Sequence, residues 1–213
     1  MEDLVGIAVR LFVLTVSLSF HEAAHAWMAF RLGDDTAKRE GRLTLNPMAH
    51  FDPLGTLMIV FGPIGWAKPV PVNPNRLDNP RVGMPLVAFA GPLSNIILGV
   101  ISLILFAIVT RFMGGGEGWY VLLKAFIAIN FALAVFNLLP IYPLDGSKVL
   151  GLFLPKDWAD RYEETMVRWG MYPLILIILW GTFGSGGPIN WWFGLWEPVL
   201  NPIARLFGVY SVF

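Results

Sequence analysis

His21-Glu22-Ala23-Ala24-His25 is the stretch of this chain with the clearest chemical content. Residues four apart share one face of a helix, so His21 and His25 can bind one metal ion between them. Glu22 is offset around the helix yet stays beside that ion, where it can take a proton from a bound water. H-E-x-x-H on a helix is the pattern of zinc-dependent hydrolysis. The plain alternative is a chance match, two histidines packed among helices with ordinary hydrogen bonds. Two observations weigh against it. The chain has 3 histidines, and two of them stand in this motif. The motif also lies inside an apolar run, Leu4–Leu32, where ionisable residues are costly and functional by default.

A catalytic zinc needs three protein ligands and an open position for water. The chain has no cysteine, so the third ligand must be a histidine or a carboxylate. Choosing it requires knowing which elements bring residues to the same depth.

Composition sets the class. The chain has 213 residues, 56% hydrophobic and 14% charged, with a mean hydropathy of +0.63. Soluble domains are about 45–50% apolar and about 25% charged. An α-helical polytopic membrane protein follows. A net charge of zero argues against nucleic acid as a partner. Glu2 and Asp3 stand where a signal peptide would carry positive charge, so no cleaved leader is expected.

The first span is Leu4–Leu32, with Ser17, Ser19, Ala23, Ala24 and Ala26 small enough for close helix approach. Asp52-Pro53 caps a run, Leu54–Phe61, that stops at Gly62-Pro63 and is too short to cross; it predicts a re-entrant helix. Residues 64–73 hold Pro69 and Pro71, which exclude helix and allow only an edge strand. Further spans are expected at 82–112, 119–139 and, shorter, 169–183. The tail 184–213 is rich in Gly, Pro and Trp, with Trp191, Trp192 and Trp196 read as an interfacial belt. Four to six membrane helices are expected in one domain, 1–213, with 151–213 as additional membrane segments.

Lysine and arginine give the orientation. Segments 31–81 and 148–168 hold seven and four of the 15, and the turn at 113–118 holds none. By the positive-inside rule the first two are cytoplasmic and the N-terminus is outside. His21, His25 and Asp145 then fall at similar depth, toward the cytoplasmic side. Asp145 is the preferred third ligand. Its alternative is a turn and cap formed by Asp145-Gly146. His50 is the rival ligand.

These residues resemble a known family, the site-2 proteases, which are intramembrane zinc metalloproteases (M50). The similarity rests on His21-Glu22-x-x-His25 in a membrane helix and on Asn137-x-x-Pro140-x-x-x-Leu144-Asp145-Gly146. Weaker matches run from Asn46-Pro47 to Gly55-Thr56, from Gly65 to Val72, and over Gly91-x-x-x-Asn95. Together they span residues 18–150. The resemblance implies one zinc per chain, held by His21, His25 and Asp145, with Glu22 as general base. It implies a membrane-associated β-hairpin around 64–73, and a minimal core without PDZ or CBS domains. The implied activity is endoproteolysis in or near the transmembrane helices of other proteins, with membrane lipid as the other partner.

On this reading the 64–73 edge would pair with an unwound substrate by β-addition. Asn95 and Asn137 are candidate donors to an oxyanion, since a bare amide at membrane depth needs a reason; helix–helix hydrogen bonding is the equal alternative for each. Two other classes of function compete: a zinc-binding membrane transporter or binder without hydrolysis, and an inactive adaptor. The first would not need Glu22. The second predicts a lost ligand, and none is missing.

Overall fold

The computed structural model describes residues 4–55, 57, 66–112, 116–183, 187–210 and 212. In chain order the helices are α1 (Leu4–Arg31), α2 (Thr36–Arg39), α3 (Pro47–His50), α4 (Pro80–Phe112), α5 (Glu117–Asn137), α6 (Asp145–Gly151), α7 (Lys156–Trp169), α8 (Met171–Phe183) and α9 (Pro188–Leu206), with a 3-10 turn at Pro74–Arg76.

Three of these are long and apolar enough to cross a membrane: α1, α4 and α5, of 28, 33 and 21 residues. They are about 42, 50 and 32 Å long, against ~30 Å for the hydrocarbon core. Leu, Ile, Val and Phe cover their outer faces: Phe12, Ile97, Ile101, Leu105 and Val121 are all exposed. The inner faces use small residues. Val13, Ser17, Ala26, Ala29, Ala88, Ala90, Gly91 and Gly99 are buried where α1 and α4 meet each other and α5. Small side chains allow that close approach, which dispersion then rewards. The spans expected at 4–32, 82–112 and 119–139 thus correspond to helices long and apolar enough to cross. The fourth, α8, is apolar but has 13 residues, about 20 Å. Four to six crossings reduce to three candidate spans among the described residues.

The tail packs back on the frame. Ala204, Val209 and Val212 join Leu103, Phe106, Leu123, Ile127 and Phe131 in one buried cluster. The Trp192 indole N–H donates to the Val135 carbonyl, 2.7 Å away near the end of α5, where helix carbonyls lack partners of their own.

The predicted β-hairpin does not form among the described residues. No strand occurs among the described residues, and 66–73 run without regular structure. Residues 64 and 65 lie outside the described set. The reason is where the N–H groups go. Pro69 and Pro71 have none, and those of Lys68, Val70 and Asn73 are taken by the His50 carbonyl, Glu22 and Asp34 rather than by a neighbouring strand. With no ladder on offer, β-addition to a substrate loses its basis here. Of the predicted re-entrant helix, residues 54, 55 and 57 are helical and the rest lie outside the described residues.

Candidate metal centre

The motif places His21 and His25 one helical turn apart on the buried side of α1, 4% and 8% exposed. Asp145 is the first residue of α6, and α6 packs on α4. Its loop contains Pro140 and Pro143, which end α5 and turn the chain back under the bundle. Gly146 is required in that turn, because a Cβ there would run into the Leu138 and Leu139 carbonyls. The result joins residues far apart in sequence. Asp145 Oδ2 lies 3.2 Å from His21 Nε2 and 3.4 Å from His25 Nε2, and the two Nε2 atoms are 3.0 Å apart. Among the described residues these three form the group able to hold a metal.

Hydrogen bonding fixes what the three atoms present. His21 Nδ1 is 2.7 Å from Asn95 Oδ1, and His25 Nδ1 is 2.7 Å from the Val87 carbonyl. Both partners are acceptors, so both rings carry a proton on Nδ1, and in its neutral form each turns a bare Nε2 lone pair inward. Asp145 Oδ2 is buried with no hydrogen-bond partner. With both rings neutral, two imidazole lone pairs and a carboxylate oxygen converge with no hydrogen among them. That arrangement repels itself unless a cation lies between the atoms. Bonds of ~2.0–2.2 Å in tetrahedral geometry put ligand atoms about 3.3–3.6 Å apart, close to the separations found. Nitrogen and oxygen donors in this number suit zinc. Gly91 supplies the space: a Cβ there would sit 2.5 Å from His25 Cε1 and 2.6 Å from His21 Cε1.

Behind His21 lies a buried polar chain across three helices. Asn95 Nδ2 donates to Asn130 Oδ1 (3.0 Å) and to the Ser17 carbonyl (3.3 Å). Asn130 Nδ2 donates to Ser17 Oγ and to the Phe126 carbonyl, each 2.9 Å away. Asn95 and Asn130 are both fully buried. The sequence reading missed Asn130 and took Ser17 only as a small residue. The signal for Asn130 was the one used for Asn95, an amide at membrane depth.

The other sequence-predicted residues fall as follows. Glu22 follows His21 on α1, and its Oε2 accepts the Val70 N–H at 3.0 Å. Asn95 commits its Nδ2 group to the Ser17 carbonyl and Asn130 and its Oδ1 to His21 Nδ1. Asn137 donates to the Leu133 carbonyl of its own helix at 2.9 Å and does not join the cluster. His50 is buried elsewhere, with Nε2 donating to the Thr44 carbonyl at 2.8 Å and Nδ1 facing Arg42 Nη2 at 3.4 Å.

Comparison with known proteins fits this geometry. The model of peptidase family M50 matches residues 108–178, the stretch that contains Asp145. YwhC of Bacillus subtilis, named as a candidate zinc metalloprotease, is 41% identical over 88% of this chain and 84% of its own. Rip2 of Mycolicibacterium smegmatis, described in the same words, is 30% identical over 80% of this chain and 68% of its own. A zinc metalloprotease of Methanocaldococcus jannaschii is 28% identical over 71% of this chain and 36% of its own. No solved structure matches the chain.

Proposed function

The chain belongs to peptidase family M50, the site-2 protease family of membrane-embedded zinc metalloproteases, and from that premise we propose that it cuts peptide bonds in or near the transmembrane helices of other proteins. One observation carries the reading: three hydrogen-free ligand atoms converge on a helix long and apolar enough to span a bilayer, next to a carboxylate.

His21, His25 and Asp145 hold the zinc, one ion per chain. When bound, it supplies a Lewis acid and brings a water's pKa to about 7. Asn95 and the Val87 carbonyl keep the two rings turned so that Nε2 faces the site. Glu22 accepts the proton of the attacking water and passes it to the leaving amine. A substrate helix hides its carbonyls in i→i−4 hydrogen bonds, so it reaches these residues locally unwound. The basic segments 31–81 and 148–168 support a cytoplasmic-side centre and an N-terminus outside.

The experiment uses the full chain in lipid vesicles with a single-span model substrate. Wild type is expected to hold one zinc and to cut the substrate, with product masses that locate a hydrolysed peptide bond at membrane depth. Chelation should stop cleavage and added zinc restore it. Asp145→Ala should lose both metal and activity, since two ligands hold a catalytic zinc poorly. Full zinc in Asp145→Ala would move the third ligand elsewhere. Zinc bound by the wild type with no cleavage of any transmembrane substrate would favour a binder or transporter.

A further inference from the structure

Asp34, Arg42 and His50 lie apart from the metal ligands, yet they are buried to 0%, 5% and 3% exposure. Burying such groups is costly unless each is paired, so what they hold matters. The Asp34 and Arg42 side chains hold the segment 66–73 directly, and His50 holds it through its main-chain carbonyl while its ring packs on Arg42 and the Thr44 carbonyl. Arg42 Nη2 donates to the Lys68 carbonyl at 2.5 Å, and the Lys68 N–H donates to the His50 carbonyl at 2.9 Å. Asp34 Oδ2 accepts the Asn73 N–H at 2.6 Å, while its Oδ1 is fixed by the Thr36 N–H and hydroxyl at 3.0 and 2.5 Å. The segment is a strap, pinned at Lys68 and again at Asn73.

Between the pins lies Pro69-Val70-Pro71. The prolines have no N–H, so Val70 carries the one main-chain donor of this tripeptide. That donor goes to Glu22 Oε2, 3.0 Å away. A glutamate on a helix turns about three side-chain torsions. A charge-assisted hydrogen bond to one oxygen removes most of that freedom and leaves the other oxygen as the base.

We propose that the Val70 main-chain N–H is a positioning group for Glu22, delivered by a strap that Asp34, Arg42 and His50 hold against α1. The proposal rests on Glu22 as the proton acceptor. It gives the strap a role on the enzyme's own carboxylate, with substrate contact left to other surfaces. The side chain at position 70 is immaterial to this role, and the N–H is essential.

The test compares Val70→Pro, which removes the donor, with Val70→Ala, which keeps it, in the full chain in vesicles. Val70→Pro should lower kcat about 10–100-fold while KM stays within about twofold and zinc stays at one per chain. Val70→Ala should return kcat to near wild type. A raised KM with kcat intact would make the strap a substrate contact and overturn the proposal. So would equal losses in both variants. A second measurement needs neither turnover nor a folded proline variant. Hydrogen exchange at the Val70 amide should be slow in the wild type and at least about tenfold faster in Glu22→Ala. Exchange unchanged by Glu22→Ala overturns the proposal, whether or not the chain proves to be a protease.

Discussion

Each histidine of the motif has two ring nitrogens, and the surroundings give them different tasks. Nδ1 donates to Asn95 or to the Val87 carbonyl, so Nε2 is left as a lone pair beside Asp145. The same kind of accounting applies to Asp34, outside the spans. Burial pushes its carboxyl up, but the Thr36 hydroxyl and N–H, the Asn73 N–H and the nearby Arg76 outweigh that and hold it below the ordinary value. A carboxyl depressed in the folded state binds fewer protons there than when unfolded. Its stabilisation is therefore full above the unfolded value of about 3.9 and is lost as pH falls through the folded value. Asp34→Asn should cost about 1–3 kcal/mol at pH 7, and the gap to wild type should begin to close as pH falls below about 4. Thermal unfolding in detergent across pH 3–7 checks this, and a gap independent of pH would deny the charge its role. Legibility at this scale followed sequence distance. His21, Glu22 and His25 sit on two turns of one helix, so spacing alone exposed them. Asp145 needed an argument from depth. Asn130 and Ser17 are 113 positions apart, and only packing reveals them as partners.

Between elements, the polar chain from His21 through Asn95 to Asn130 and Ser17 couples the metal site to helix packing. It ties α1, α4 and α5 at one level and leaves each amide satisfied, the condition under which buried polar groups specify an arrangement. Asn130→Leu removes one link without touching a ligand. Zinc affinity should fall about tenfold, measured by competition with a chelator, because outer partners hold metal-binding rings in place. An affinity equal to wild type would show that Asn95 orients His21 unaided. The long helices were legible because unbroken apolar runs of this length have few other fates. The strap was not. Its proline pattern excluded helix correctly, but an edge strand was inferred from propensity, and propensity says nothing about who accepts the N–H groups. Here the Glu22 and Asp34 side chains and the His50 main-chain carbonyl accept them. Asn95 and Asn137 looked alike in sequence, as amides in spans. One holds a ligand across helices and the other bonds back to its own helix, a distinction set by helix rotation.

Among the described residues the long apolar helices form a bundle, and the proposed metal centre lies toward one end of it. His21, His25 and Arg31 lie in the last part of α1, and Asp145 follows the end of α5, so the centre shares a side with the basic segments. Reporter fusions or cysteine labelling should find residues 36–44 cytoplasmic and 116–118 on the opposite face. The reverse result would turn the site outward. The central claim is that zinc and Glu22 act together on a peptide bond, and it has one direct measurement. Zinc content and initial cleavage rate are determined on the same vesicle preparations for wild type and Glu22→Gln. The substitution keeps the shape of residue 22 and leaves all three ligands in place, but the amide accepts no proton. One zinc per chain is expected in both, with cleavage at least about 10²-fold slower in the variant. Cleavage by Glu22→Gln at the wild-type rate, with zinc bound, would contradict the account.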